Sequence, residues 1–383
     1  MSALSINCAF DAGAIEVVSL ANPQDIQLNI RRDNASEFAQ WFYFQLSGGK
    51  GQSLKLRFLN AATSAYPQGW ENYEAVASYN RVDWFRVQSH YDGKEMVVGF
   101  LPESDTVWFA YFEPYSYDRH LDLIGFANKF ENVEVRQLGQ TLDGRDMTLL
   151  EITNAESDTP CAQKKKVWLT ARQHPGETMA EWFVEGFLQR LLDPDEPVSR
   201  TLLDQTVFYV VPHMNPDGAV RGNLRTNAAG ANLNREWQTP TMERSPEVFL
   251  VRQKMLETGV DLFLDAHGDE NLPYNFVAGC EGIPGYDDRH RHLEDAFKNA
   301  WAVVSPDFQD THGYEKDAPG SANMTLATTW VGQQFHCLAY TIEMPFKDNA
   351  NLPDGDVGWS GERSRVFGAS VLNPVLTILP QLR

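Results

Sequence analysis

The sequence predicts an α/β protein in which a C-terminal mixed β-sheet flanked by helices follows an N-terminal antiparallel β-sandwich. Aromatic and apolar residues alternate with polar ones over roughly the first 115 residues, which is typical of strands. Beyond them, short apolar runs alternate with segments of helical period. Residues 113–118, which contain proline and turn formers, separate the two patterns. We therefore predict one domain over residues 1–117 and a second over residues 118–383.

The N-terminal part shows its strands most clearly at residues 38–44 and 107–112, where aromatic residues dominate. A turn cluster at residues 47–51 contains three glycines and ends the first of these runs. No convincing segment of helical period occurs here, so a small antiparallel sandwich is the expected structure.

The C-terminal part contains short apolar runs of the kind found in buried strands. Segments between them carry helix signals, so the runs are expected to form a largely parallel or mixed sheet with helices on both faces. The clearest of these runs are residues 167–170, 207–211, 262–264 and 338–342.

Two helices are marked clearly. Residues 179–192 place their apolar side chains on one stripe. A second helix is expected to start at Ser245 and Pro246, a capping residue followed by proline in the first turn, and to stop at Gly259.

Composition narrows the classes of function. The chain has 383 residues and a formal charge of -20, so nucleic acids and anionic membranes are not expected partners. We interpret this charge as favouring solubility rather than a cationic partner. No apolar run long enough to span a bilayer and no secretory signal are evident, which predicts a cytoplasmic protein. In the cytoplasm the four cysteines, which are scattered along the chain, are expected to be reduced thiols: Cys8, Cys161, Cys280 and Cys337.

Candidate metal ligands follow predicted strands. His174 and Glu177 come after one apolar run, His267 after another, and Glu343 after a third. Because the carboxyl ends of parallel strands border a common crevice, these side chains are expected to converge. Two imidazoles and one carboxylate, with a further carboxylate outside the metal shell, are what a catalytic zinc site requires. Taken singly, each residue has a simpler interpretation. His174 could be an ordinary loop histidine and Glu177 a glutamate near a helix N-terminus. His267 could be a histidine with satisfied hydrogen bonds, and Glu343 could form a salt bridge.

Two arginines and an asparagine lie between these segments, in polar and turn-rich sequence: Arg225, Asn234 and Arg235. Arginine can hold a carboxylate through two parallel hydrogen bonds and keeps its charge at any working pH. The simpler interpretation is surface ion pairing, because the chain contains 52 acidic residues.

Together, the motifs H-P-G-E at 174–177, N-P-D-G at 215–218, G-N-x-R at 222–225 and G-x-x-L-N-R-x-W at 230–237, with the late Glu343, resemble the zinc metallocarboxypeptidases. The branch that they resemble is the cytosolic carboxypeptidases, and residues 109–117 are similar to the junction after that branch's N-terminal sandwich.

The resemblance implies an enzyme that hydrolyses C-terminal residues from peptides or protein tails. It implies one zinc ion held by His174, Glu177 and His267, with Glu343 as the general base for a zinc-bound water. Arg225 would stabilise the oxyanion, while Asn234 and Arg235 would hold the substrate's terminal carboxylate. Glutamate is a candidate terminal residue, because some members of the branch remove it.

The sequence also departs from the family pattern. Asn232 stands where the family commonly has an aspartate that orients a zinc-bound histidine. Tyr314 is in the region of the family's mobile-loop tyrosine, but no motif surrounds it. Residues 321–330 carry none of the basic side chains of glutamate-removing members, and Lys316 is the nearest cation.

Two alternatives to a carboxypeptidase remain: a zinc amidohydrolase that acts on small N-acyl amino acids, and a non-catalytic module that binds chain ends. The sandwich domain and the pair Asn234 and Arg235 favour peptides, and the complete ligand set favours catalysis. Other histidines are weaker candidates, and His290 and His292 are interpreted as a solvated helix surface.

Overall fold

The computed structural model describes residues 3–383, and it contains three β-sheets. Two five-stranded sheets form the N-terminal part, and a seven-stranded sheet flanked by helices forms the remainder. The predicted fold class is confirmed.

The N-terminal sheets are antiparallel in every pairing but one. In spatial order the first sheet contains β1 (Ser5–Asn7), β4 (Tyr43–Ser47), β10 (Thr106–Ala110), β6 (Ala75–Ser78) and β7 (Trp84–Val87). The second sheet contains β2 (Glu16–Ser19), β3 (Ile26–Asn29), β5 (Leu54–Phe58), β9 (Met96–Phe100) and β8 (Ser89–Tyr91). The pair β3 and β5 is parallel. After β3 the chain crosses to the first sheet to form β4, and it then returns to the second sheet, where β5 runs in the same direction as β3.

Aromatic side chains fill the space between these two sheets. The rings of Phe44 in β4 and Phe58 in β5 lie 6.4 Å apart, and those of Phe100 in β9 and Phe109 in β10 lie 5.4 Å apart. All of β5's alternate residues from Leu54 to Phe58 are buried. This inward alternation is what a sandwich requires.

The seven-stranded sheet is parallel in its centre and antiparallel at its edges. In spatial order its strands are β11 (Val133–Gln140), β12 (Asp146–Ile152), β14 (Thr206–Val211), β13 (Lys165–Ala171), β15 (Leu262–Asp269), β17 (Leu338–Pro345) and β16 (Phe276–Ala278). The four central strands, β14, β13, β15 and β17, are parallel, so their carboxyl ends lie at one edge of the sheet.

Helices cover both faces of this sheet. Phe263 and Leu264 are neighbours in β15, so their side chains lie on opposite faces of the sheet. Phe263 belongs to a buried cluster with Val248 and Val331, and Leu264 belongs to another with Phe183. The helices are α1 (Tyr117–Ala127), α2 (Met179–Leu191), α3 (Pro197–Gln205), α4 (Pro216–Arg221), α5 (Pro246–Thr258), α6 (Asp288–Val304), α7 (Ala327–Phe335), α8 (Gly361–Ser370) and α9 (Leu372–Ile378). Within residues 3–383, no helix combines the length and the hydropathy needed to cross a bilayer.

The two clearly marked helices form where the sequence predicts them. α2 occupies all but the last of the residues predicted to be helical. α5 follows Ser245, has Pro246 in its first turn and ends at Gly259, whose φ of 80° is a conformation that other residues rarely adopt.

The N-terminal sandwich packs directly on the helical part. The ring of Tyr111, just after β10, stacks on Phe346, just after β17, at 4.5 Å. The predicted boundary between residues 117 and 118 falls at the first residues of α1, and the division of the chain there remains a prediction.

A buried glutamate in α5 makes the stability of the fold depend on pH. Glu247 is fully buried, and its carboxyl group accepts hydrogen bonds from Asn227 Nδ2 at 3.1 and 3.3 Å. Burial raises its pKa from 4.5 to about 8. Between these values the folded state keeps a proton that the unfolded state loses, so the free energy of unfolding falls as pH rises, by up to roughly 5 kcal/mol.

We expect Glu247→Gln to remove this contribution. Relative to the parent protein, the variant should gain stability steadily between pH 5 and pH 8, as measured by urea unfolding at several pH values. Glu257→Gln is the matched control, because Glu257 lies in the same helix with its side chain 66% exposed. A Glu247→Gln stability difference that does not change with pH would contradict the expectation.

Candidate active site

His174 and Glu177 lie in the turn that joins β13 to α2. The chain is tightly packed between them, because a Cβ on Gly176 would lie 3.0 Å from backbone atoms of Leu224. The Gly176 N–H donates to the Leu224 carbonyl oxygen at 2.8 Å, which fixes this turn against the segment that carries Arg225.

His267 and Glu343 are direct neighbours across the sheet. They lie opposite each other in the parallel pair of β15 and β17. The turn with His174 follows β13, which pairs with β15 on the other side. The three predicted positions therefore meet at the carboxyl edge of the central strands, as the sequence predicts.

The imidazoles of His174 and His267 and the carboxylate of Glu177 converge on one point. Glu177 Oε1 lies 2.7 Å from His174 Nδ1, and Glu177 Oε2 lies 2.8 Å from His267 Nδ1. The two Nδ1 atoms are 3.2 Å apart. Ligands bound about 2.0–2.1 Å from a tetrahedral zinc ion would be separated by roughly 3.3 Å. The donor set of two imidazoles and one carboxylate and the 3.2 Å between the two Nδ1 atoms therefore fit a zinc ion, and all three side chains are buried.

The opposite nitrogen of each imidazole is held by a polar side chain. His174 Nε2 lies 3.0 Å from Asn232 Oδ1, and His267 Nε2 lies 2.9 Å from Asp265 Oδ2. Asp265 also accepts from Thr170 Oγ1 at 2.7 Å and from Gln173 Nε2 at 2.5 Å. These contacts orient both Nδ1 atoms toward the shared point, which is the arrangement that metal-binding histidines require.

The two histidines differ in their pKa. Burial and, after it, the Arg225 guanidinium lower the pKa of His174 to about 4 against the opposing effect of Glu177, so this imidazole is neutral at pH 7. Burial also acts against protonation of His267, but the carboxylates of Asp265 and Glu177 outweigh it and raise the pKa well above its ordinary value. A bound divalent cation would take the place of that proton, because a metal ligand must be deprotonated.

Glu343 has a carboxylate oxygen without a protein partner. Its Oε2 atom is buried and makes no hydrogen bond with any of residues 3–383. Its Oε1 atom lies 3.1 Å from the Tyr314 hydroxyl, which is also 2.6 Å from Asp269 Oδ2. Burial, followed by the Glu177 and Asp269 carboxylates, raises the pKa of Glu343 well above its usual range against the opposing effect of His267. A buried, unsatisfied carboxylate of this kind is typical of a proton-transferring group.

Arg225 lies beside this centre with its guanidinium close to two aromatic rings. Its Nη1 atom is 3.9 Å from Glu177 Oε1. The guanidinium carbon lies 5.3 Å from the ring centre of Tyr66 and 5.6 Å from that of Phe38. Surface ion pairing is therefore not its role, because its side chain is only 13% exposed and faces the centre.

Asn234 and Arg235 lie on the wall of the same cavity. Asn234 Oδ1 accepts from the Ala327 N–H at 2.9 Å, which leaves Nδ2 as its available donor. Arg235 is exposed, and no carboxylate of the described chain comes within 4.0 Å of its guanidinium. Its Nη1 atom donates to the Asn234 carbonyl oxygen at 2.6 Å, and its other N–H groups are available to an anion in the cavity.

The predicted site residues all line one cavity of about 570 Å³. They are His174, Glu177, Arg225, Asn234, Arg235, His267 and Glu343. Sequence reasoning did not assign a role to Tyr314 or identify Tyr66, Asp269 and Glu270, which line the same cavity. Asp269 could have been found, because it lies two residues after His267 and so shares that face of the strand. No local signal marks Tyr66, which comes from the N-terminal sandwich.

The prediction that His290 belongs to a solvated surface is wrong. His290 is fully buried, and its Nδ1 atom lies 2.6 Å from Asp287 Oδ1 in the reciprocal cap that starts α6. His292 is exposed, as predicted. The cap turns the first histidine inward, which the charged local sequence does not indicate.

Two protein-family models match this chain. Residues 123–358 match the family model described as zinc carboxypeptidase, and residues 6–112 match the model described as cytosolic carboxypeptidase N-terminal domain. The chain therefore belongs to the zinc carboxypeptidase family, a class of metallopeptidases. Within that family its N-terminal domain places it with the cytosolic carboxypeptidases.

Individual relatives give the extent of the similarity. An uncharacterized protein of Zymomonas mobilis is 46% identical over 99% of this chain and 97% of its own length. A metallo-carboxypeptidase from Pseudomonas aeruginosa, solved in complex with (2-guanidinoethylmercapto)succinic acid, is 47% identical with a TM-score of 0.95, over 99% of this chain and 100% of that chain. Bovine cytosolic carboxypeptidase 3 is 29% identical over 73% of this chain, which spans only 31% of that longer protein.

Proposed function

We propose that this protein is an exopeptidase that removes C-terminal residues from peptides or protein tails, with one zinc ion held by His174, Glu177 and His267. The observation that supports the proposal best is the convergence of these three donors beside Glu343, whose buried Oε2 atom has no partner among residues 3–383. A cytoplasmic location is part of the proposal and is supported by the name of the bovine relative.

The remaining roles follow from position and charge. A zinc ion held by these three side chains would polarise the scissile carbonyl and lower the pKa of a bound water to about 7. Glu343 accepts the proton from the attacking water and delivers it to the leaving amine, and the Tyr314 hydroxyl orients the carboxylate. Arg225 donates to the developing oxyanion. Asn234 and Arg235 bind the terminal carboxylate, which restricts cleavage to the chain end.

The charges of the cavity argue against glutamate as the preferred terminal residue. α7 carries no cation, and both lysines that line the cavity are already paired, Lys298 with Glu294 at 2.7 Å and Lys316 with Glu281 at 2.9 Å. Carboxylates line the cavity in larger number: besides Glu177 and Glu343 they are Asp269, Glu270, Glu281, Asp310, Glu315 and Asp317.

We therefore propose a preference for neutral or cationic terminal side chains. The guanidino group of the compound bound to the Pseudomonas relative is consistent with this preference.

A peptide series tests the function. We expect zinc-dependent loss of the last residue from peptides ending in Lys, Arg or Leu, slower loss of Glu, and no cleavage when the C-terminus is amidated. Mass spectrometry with and without a chelator measures each case. Equal cleavage of the amidated peptides would contradict carboxylate recognition. Hydrolysis of N-acyl amino acids without removal of residues from peptides would identify an amidohydrolase. Peptide binding without hydrolysis would identify a binding module.

A further inference from the structure

A loop of the N-terminal sandwich holds the backbone around Arg225. The Asp33 carboxylate accepts hydrogen bonds from three consecutive backbone N–H groups, those of Leu224 at 2.7 Å, Arg225 at 2.8 Å and Thr226 at 3.0 Å. It also accepts from the Thr226 hydroxyl at 3.1 Å. Asp33 is only 5% exposed, and without it these buried N–H groups would lose their acceptor.

Neighbouring residues of the same loop strengthen the docking without contacting the N–H groups around Arg225. Asn223 Nδ2 donates to Asn34 Oδ1 at 2.7 Å, and Asn34 Nδ2 donates to the Ala228 carbonyl oxygen at 2.9 Å. Asn34 therefore joins the two domains beside the arginine, whereas Asp33 binds the backbone of the arginine itself.

The N-terminal sandwich also holds the side chain of Arg225. The rings of Phe38 and Tyr66, both from this part of the chain, lie against the guanidinium. On the other side, the Leu224 carbonyl oxygen accepts from the Gly176 N–H, within the turn that carries His174 and Glu177. The backbone of this segment therefore connects Asp33 to the metal-binding turn, and the sandwich fixes both ends of the arginine.

We propose that Asp33 is a positioning residue for catalysis: its carboxylate holds the Arg225 backbone so that the guanidinium meets the oxyanion, and the N-terminal sandwich thereby completes the active site. This inference depends on the proposed role of Arg225. The competing explanation is that Asp33 only joins the two parts of the protein.

A double-mutant cycle in the full-length, zinc-loaded protein separates these explanations. Arg225→Met alone should lower kcat for peptide hydrolysis by roughly 10²- to 10³-fold. Asp33→Asn alone should lower kcat by about 10- to 100-fold with little change in KM, because an oxyanion donor that is displaced by about 1 Å loses most of its effect. Asp33→Asn should add nothing further in the Arg225→Met background. Zinc content should remain one per chain throughout.

Asn34→Ala is the matched control, because it weakens the same domain contact without touching the three N–H groups. It should lower Tm and leave kcat within about twofold. If Asp33→Asn does not fold, Thr226→Val replaces it. That variant removes one bond to Asp33 and should lower kcat a few-fold, again only when Arg225 is present.

The outcomes distinguish the inference from the proposed function. An unchanged kcat in Arg225→Met would overturn the oxyanion role itself and the inference with it. If Arg225→Met lowers kcat strongly, and Asp33→Asn lowers kcat by the same factor with and without Arg225, only the positioning role of Asp33 is overturned. An Asn34→Ala loss of kcat equal to that of Asp33→Asn would also assign Asp33 to domain joining alone.

Discussion

Replacing Glu343 with glutamine is expected to lower kcat for peptide hydrolysis by about 10²- to 10⁴-fold, the range for removal of a positioned general base. Glutamine keeps the shape of the side chain and can still accept a hydrogen bond from Tyr314. It cannot take a proton from water, because an amide oxygen is not basic enough. Zinc content and Tm should remain close to those of the parent protein, and steady-state kinetics on one good peptide substrate measures the change.

Glu113→Gln is the control for this experiment. Glu113 is another carboxyl group whose pKa burial raises, to about 7; it accepts a hydrogen bond from the Gly361 N–H at 2.8 Å and lies outside the cavity that holds Glu343. Its substitution should leave kcat within about threefold. The base assignment is wrong if Glu343→Gln retains activity within a factor of ten at equal zinc content.

The second large effect is expected from His267→Gln. This substitution removes one of three proposed ligands and leaves a side chain of similar size with no imidazole. Zinc bound per chain should fall from one to well below one at the free zinc concentration that saturates the parent protein. Peptide hydrolysis should fall with it to the background rate. Metal analysis by mass spectrometry and a peptide assay on the same sample measure both quantities.

His290→Gln gives the matched comparison for the metal experiment. His290 is also a buried histidine with one carboxylate partner, but it lies in α6 outside the cavity. Its substitution should cost stability and leave one zinc per chain. Equal zinc loss in both variants would mean that the metal is lost through unfolding rather than through a missing ligand.

Much of this site could be predicted because its side chains follow buried strands. His174, His267 and Glu343 come after or within apolar runs, and parallel pairing brings such positions to one edge of a sheet. The start and end of α5 were also predictable, because Pro246 and Gly259 have local backbone preferences, whereas the Ser245 side chain makes no capping hydrogen bond.

Contacts between distant loops could not be predicted in this way. Asp33 and Arg225 are separated by 192 positions, and neither lies in a periodic segment. Tyr66 reaches the cavity from the N-terminal sandwich, and Tyr314 reaches Glu343 from a loop without a motif. The inward turn of His290 depends on a cap geometry that its charged neighbours do not indicate. The positions of Asp33, Tyr66 and Tyr314 are decided by tertiary packing, for which a single sequence carries no local signal.

The central claim is that one zinc ion binds between His174, Glu177 and His267. X-ray diffraction at the zinc absorption edge, from crystals of the zinc-loaded protein, tests it most directly. We expect a single strong anomalous peak per chain, about 2.0–2.1 Å from both Nδ1 atoms and within bonding distance of the Glu177 carboxylate. A zinc peak at any other group of residues, with none between these three, would contradict it.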